Sequence, residues 1–145
     1  MKKRIFIACD TTKQSQINKI IKQSQLKSLD VGYKFGLEFF NSKAGRLFIS
    51  KINKKNKIWL DLKLLDIPNT VSASIKSLAD LKNINYLTVH ASGGLEMMRS
   101  AKKAAKKINK KLKILGVTVL TSFSKNTLKK IGHTKSIKNL VLLQS

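Results

Sequence analysis

Apolar and polar positions along this chain of 145 residues repeat in one order, a short apolar run and then a segment with helical spacing. RIFIAC (4–9) reads as a short apolar strand. It is followed by TTKQSQINKIIKQSQL (11–26), where Ile17, Ile20, Ile21 and Leu26 fall near the helical period. DVGYKFG (30–36) is the next predicted strand, and LEFFNSKAGRLFISKINKK (37–55) carries Leu37, Phe40, Ala44, Leu47 and Phe48 down one side of a predicted helix. IWLDLK (58–63) is the third strand. Pro68 then precedes a helix predicted from Val71 to Leu81, with Thr70 as its N-cap. INYLTVH (84–90) is the fourth strand, and the segment 92–108 opens on two glycines before becoming a strong helix former. LKILGVTVLT (112–121) is the fifth strand, followed by a short polar helix near 124–131 and an apolar segment, IKNLVLL (137–143).

Strand and helix alternate without a break, which predicts repeated βαβ units around a parallel sheet. Two architectures fit, an open doubly wound sheet and part of a (β/α)₈ barrel. No GxGxxG follows the first strand and no GxxxxGK[ST] occurs, so the nucleotide-cofactor versions of the open sheet lose weight. Residues 1–145 read as a single domain, with no linker or exact repeat. Lysine doublets such as those in KKAAKK mark a solvated helix face.

Composition narrows the function classes. No apolar run approaches the roughly 20 residues that cross a bilayer, and the start MKKRIFIACD is too short in apolar residues for a signal sequence. A cytoplasmic protein without a membrane partner is the expectation. The net charge of +23 invites a nucleic-acid reading. Its positive charge, however, is nearly all lysine, with arginine only at positions 4, 46 and 99, whereas phosphate and base recognition favours arginine forks. Lysine, asparagine and isoleucine are what adenine- and thymine-rich codons specify, so codon bias is the preferred source of the charge and no nucleic-acid partner is expected. A positive field still draws anionic metabolites. The lone Cys9 cannot form an internal disulfide and reads as a buried strand residue rather than a nucleophile; no zinc ligand set is visible.

Candidate chemistry collects at the strand ends. Asp10 ends the first strand, Lys34 lies near the end of the second, Asp61 and Lys63 close the third, His90 ends the fourth, and Thr121 with Ser122 ends the fifth. In a parallel α/β fold these ends share the ligand-binding face. Three of the seven acids, Asp10, Asp61 and Asp66, fall on this rim. Asp61 and Lys63 are two residues apart and so share one face of their strand, while Leu60 and Leu62 take the other. A structural ion pair also explains Asp–x–Lys, but desolvating one is a costly route to stability, so a functional role is preferred. A lysine between carboxylates is favoured as the ammonium, a proton donor or electrostatic clamp rather than a Schiff-base nucleophile. That suits a reaction in which a carboxylate leaves and a carbanion is quenched.

These residues resemble a known family. DLKxxDIPNTV at 61–71, with IACD (7–10), YKFGLEFF (33–40), TVHASGG (88–94) and GVTVLTS (116–122), is similar to the orotidine 5′-phosphate decarboxylases. The resemblance implies a (β/α)₈ TIM-barrel fold, here about the first five βα units. It implies a carboxy-lyase that converts orotidine 5′-monophosphate to UMP and CO₂ in pyrimidine biosynthesis, with no metal or organic cofactor. Asp10 would then hydrogen-bond the ribose. Lys34, Asp61, Lys63 and Asp66 would form an alternating charged array, Lys63 protonating C6 and Asp61 facing the departing carboxylate. Ile67, Pro68, Asn69 and Thr70 would complete the substrate-binding motif, and Thr121 would line the pocket near the base. Asp66 and Thr70 would reach into the neighbouring subunit of a homodimer. His90 is expected to be structural. Cys9 stands where the family carries an aliphatic residue.

A full barrel of this type has about 250 residues and eight strands. The family's TPGIR phosphate-gripping segment and terminal arginine have no counterpart here, so the expectation is a fragment of a longer enzyme, poorly soluble or inactive by itself. Three rivals remain: a Mg²⁺-dependent decarboxylase or aldolase of the same superfamily acting on a keto-sugar phosphate, a lysine-rich nucleic-acid-binding domain without catalysis, and a degenerate gene product without function.

Overall fold

The computed structural model of the chain describes residues 3–26 and 28–145. Five strands, β1 (Lys3–Ala8), β2 (Leu29–Gly36), β3 (Lys57–Leu64), β4 (Ile84–His90) and β5 (Lys113–Val117), form one sheet. Their order is β1-β2-β3-β4-β5 and every neighbouring pair is parallel. A doubly wound sheet reverses its strand order at a switch point, whereas a (β/α)₈ barrel adds strands in sequence. The sequential order therefore selects the barrel, and the five strands are its consecutive staves.

The two faces of the sheet differ because side chains alternate along each strand. Tyr33, Phe35, Ile58, Leu60, Leu62, Leu87 and Val89 are buried against the helices and form one core with them. The other face, the barrel interior, is built in layers. At the N-terminal ends of the strands, Asp30 accepts from Arg4 at 2.7 Å and from Lys57, and Arg4 also donates to the Tyr86 hydroxyl at 3.0 Å. Above this layer the Phe6 ring meets Trp59 and Tyr86 edge-on, with centroids 5.6 and 5.3 Å away. Gly32 makes room for that ring, since a Cβ there would lie 2.3 Å from a Phe6 ring carbon. The layer at the C-terminal ends is charged.

Helices follow each strand. In α1 (Gln14–Gln23) Ile17 is buried and Ile20 and Ile21 are partly so. It is shorter than the predicted 11–26, because the Ser24 hydroxyl bonds back to the Ile20 carbonyl at 2.6 Å, and Leu26 lies beyond the helix, exposed. The predicted single helix at 37–55 is two short ones, α2 (Leu37–Asn41) and α3 (Gly45–Lys51). Ser42 ends the first by bonding the Phe39 carbonyl with its hydroxyl at 2.7 Å, a local competition with the helix ladder. Gly45 starts the second hard against that same carbonyl, where a Cβ would sit 1.7 Å from the oxygen. The break rotates the buried face. Phe39 and Ile49 are buried, while Leu37 and Leu47 from the predicted stripe are 49% and 58% exposed.

α4 runs Pro68–Lys76, three residues earlier than predicted, with Ile67 as its cap and Pro68 in the first turn. Proline suits that position because its missing N–H would have no helical partner. Thr70 therefore lies inside the helix and is not its cap. A short 3₁₀ turn, Ala91–Gly93, leads into α5 (Gly94–Ile108). Met97, Ala101, Ala104 and Ala105 of α5 are buried, and Lys102, Lys103, Lys106 and Lys107 are exposed, so the lysine doublets do line a solvated face. β5 stops at Val117 rather than near 121, because its partner strand β4 ends at His90, opposite Val117, and offers no further ladder. α6 (Lys125–Lys130) and α7 (Ile137–Gln144) follow, each capped by a serine side chain, Ser124 and Ser136. Among the described residues no helix is long and apolar enough to cross a membrane.

Candidate active site

The charged layer is assembled around Asp61. Strand β3 carries it to the interior face near the C-terminal end of the sheet, where it is 9% exposed. Both of its oxygens are used. Oδ1 accepts from the Thr88 hydroxyl of β4 at 3.0 Å. Oδ2 receives two ammonium groups, Lys63 at 2.9 Å and Lys34 of β2 at 3.4 Å. Lys34 lies 3.9 Å from Asp10 on its other side. The order in space is thus Asp10, Lys34, Asp61, Lys63, with charge alternating at each step.

Burial works against the charge on Asp61. Hydrogen bonds from Lys63 and Thr88, with the positive charges of Lys63 and Lys34, outweigh it and hold the carboxyl below its ordinary range. Asp61 is an anion at neutral pH. Cys9, directly before Asp10, is buried and bonds its amide to the Lys34 carbonyl at 2.9 Å. Burial, then the Asp10 charge, push its thiol up to about 11, which favours the neutral thiol at neutral pH and argues against a nucleophilic role.

Lys63 has φ of +48°, the one non-glycine residue with positive φ among those described. A left-handed backbone at a residue with a side chain costs about 1–2 kcal/mol. The cause is a bulge: β3 pairs Leu60 with Leu87 and next Leu64 with Val89, so it uses four residues where β4 uses two. Thr88 holds the irregular turn, its oxygen accepting the Lys63 amide at 2.9 Å. The bulge returns the Lys63 side chain towards Asp61.

The structure gathers Asp10, Lys34, Asp61 and Lys63 and leaves the other expected residues apart. Asp66 is exposed beyond β3 and accepts from the Ile67 amide at 2.7 Å; within this chain it is not part of the charged array. Ile67, Asn69 and Thr70 are exposed and Pro68 is half-buried at the start of α4. Thr121, expected at a strand end, is exposed in the turn after β5. His90 is half-buried beside a cleft of about 280 Å³ that it shares with Leu65, Leu120 and Phe123. Thr88 received no role from the sequence. The signal was its parity, because Tyr86, Thr88 and His90 alternate with apolar Leu87 and Val89 and so face the interior.

The model of the orotidine 5′-phosphate decarboxylase / HUMPS family matches residues 3–144. An orotidine 5′-phosphate decarboxylase of Carboxydothermus hydrogenoformans is 36% identical over 147 residues, covering 99% of this chain and 60% of its own. One from Fusobacterium nucleatum is 40% identical over 144 residues, covering 98% of this chain and 59% of its own. The crystal structure of the Lactobacillus acidophilus orotidine 5′-phosphate decarboxylase superposes with a TM-score of 0.84 at 36% identity, over 99% of this chain and 65% of that one. The chain spans about 60% of the length of these curated relatives. In sequence along nearly its whole length, and in the order of its strands, the chain belongs to the orotidine 5′-phosphate decarboxylase / HUMPS family.

Proposed function

We propose that this chain carries the reacting end of a cytoplasmic orotidine 5′-phosphate decarboxylase, which releases CO₂ from C6 of the pyrimidine and yields UMP. The observation that carries the reading is the Asp61 carboxylate clamped between two ammonium groups, with Lys63 at 2.9 Å. The carbon–carbon bond to the departing carboxylate breaks and leaves its electron pair on C6. That carbon takes a proton from Lys63 Nζ, and solvent restores the ammonium. Asp61, held as an anion in a buried position, faces the substrate carboxylate and loses an unfavourable neighbour as CO₂ departs. Lys34 steadies Asp61 and Asp10, and Asp10 takes a ribose hydroxyl.

A metal-dependent reaction on a keto-sugar phosphate is the reading that the family name leaves beside this one. The carboxylates of the cluster favour decarboxylation without a metal. Asp10 and Asp61 are bridged by the Lys34 ammonium, which occupies the place a divalent cation would take between them. Asp66 and Ile67, just before α4, and Asn69 and Thr70, in its first turn, are exposed and belong in this proposal to the partner's site in a homodimer. Pro68 shapes that segment, and Thr121, in the turn after β5, lines the pocket near the base in this proposal.

The test joins this chain, after Ser145, to the part of the Carboxydothermus hydrogenoformans relative that it does not span, and follows the pyrimidine absorbance of orotidine 5′-phosphate in EDTA. Conversion to UMP supports the reading. Absence of turnover, or turnover only with added Mg²⁺, overturns it.

A further inference from the structure

The left-handed turn at Lys63, φ +48°, carries a backbone cost; the ion pair of its side chain with Asp61 at 2.9 Å offsets part of it, and a second contact to the turn comes from outside Lys63. Among the described residues one side chain, that of Thr88, bonds both to that turn and to the cluster. Thr88 is 2% exposed. Its oxygen accepts the Lys63 amide at 2.9 Å, while its hydroxyl proton goes to Asp61 Oδ1 at 3.0 Å. A hydroxyl is suited to this position because it accepts and donates at once. Valine, of the same shape, would take from the part-buried Lys63 amide and from Asp61 Oδ1 the partner that Thr88 gives each. Strand β4 opposes the bulge with two residues, so the ladder itself offers the Lys63 amide no regular partner.

We propose that Thr88 is a positioning residue: by taking the Lys63 amide and giving its proton to Asp61, it locks the bulge of β3 so that the Lys63 ammonium and the Asp61 carboxylate converge on one point. Thr88 has no contact with the reacting atoms in this scheme. It acts through the two groups it ties together, and the substitution Thr88→Ser preserves both bonds whereas Thr88→Val removes both. The consequence for proton delivery rests on the decarboxylase reading; the positioning itself does not.

The experiment separates the two. In the 145-residue chain, backbone amide exchange and the rate at which an amine-acylating reagent modifies each lysine are read by mass spectrometry. In the unsubstituted protein the Lys63 amide exchanges as slowly as its β3 neighbours. T88V raises acylation of Lys63 at least threefold while Lys57, paired with Asp30 at the far end of the strand, is unchanged; T88S matches the unsubstituted protein. A Lys63 amide that exchanges as fast as an exposed loop amide overturns the proposal. So does a Lys63 acylation rate unmoved in T88V. If T88V loosens Lys57 as well, the exchange of the unsubstituted Lys63 amide and the behaviour of T88S decide the matter alone. Turnover, measured on the joined enzyme, then splits by parameter: T88V lowers kcat 10- to 100-fold with KM changed less than threefold, and T88S recovers it. Loss of turnover in every form, with the labelling pattern intact, removes the decarboxylase reading and leaves the positioning role standing.

Discussion

Both oxygens of Asp61 are occupied, Oδ1 by a hydroxyl and Oδ2 by two ammonium groups. Its depressed ionisation has a definite consequence for stability. An unfolded aspartate titrates near about 3.9, and the folded Asp61 titrates lower. The unfolded state therefore binds more protons in between, so the stabilisation is fully present above about pH 4 and is lost as pH falls through the folded value. Urea unfolding of the unsubstituted chain and of Asp61→Asn should differ by a constant amount from pH 7 to about 5, and the gap should shrink below about pH 4. A gap that is level down to pH 3 contradicts the assignment. At this scale the sequence was informative where residue type and strand parity sufficed: Asp10, Lys34, Asp61 and Lys63 all reach one cluster. It was silent on Thr88, because a threonine in a strand is ordinary β former and its second role appears only once β3 bulges. It was silent on the bulge too, since simple alternation already placed Asp61 and Lys63 on one face.

Among the elements, strands were more legible than helices. Strand β4 occupies the predicted 84–90, and β2 and β3 are each within one residue of prediction at either end. Dense β-branched and aromatic runs leave few alternatives. The segment 37–55 misled because its apolar residues satisfy a helical period if the chain never breaks. Ser42 and Gly45 break it, and the period restarts in a new phase. The corrected face is testable by substitution. Ile49→Ala should cost about 2–4 kcal/mol, as a fully buried side chain leaves a cavity. Leu47→Ala should change stability by less than about 0.5 kcal/mol, since the residue is exposed. Equal effects at the two positions in chemical denaturation would restore the single helix. The start of α4 was misplaced for a different reason: Thr70 is a good cap by type, but Pro68 two residues earlier begins the helix first.

The whole molecule carries +23 on 145 residues, with Asp10, Asp30, Asp61 and Asp80 drawn into ion pairs. What remains is chiefly lysine, with only Glu38, Asp66 and Glu96 left among the acids. Such a charge destabilises the folded state by self-repulsion, and salt screens it over a Debye length of about 10 Å at 0.1 M. Raising sodium chloride from about 0.05 to 0.5 M should raise the melting temperature, read by circular dichroism; a fall would mean that the surface ion pairs outweigh the repulsion. The sequential sheet was legible in outline because strand and helix alternate throughout, although alternation alone left the doubly wound sheet open and only strand order decided between them. The same architecture brings residues from β2, β3 and β4 to one end of the interior, and that convergence sets the Lys63 ammonium against the Asp61 carboxylate. The most direct measurement is the rate of CO₂ release from orotidine 5′-phosphate by the enzyme joined to the remaining length of its relative, with Lys63 intact and with Lys63→Met. The account predicts a loss of about 10²–10⁴-fold on substitution. Undiminished release of CO₂ by Lys63→Met would contradict it.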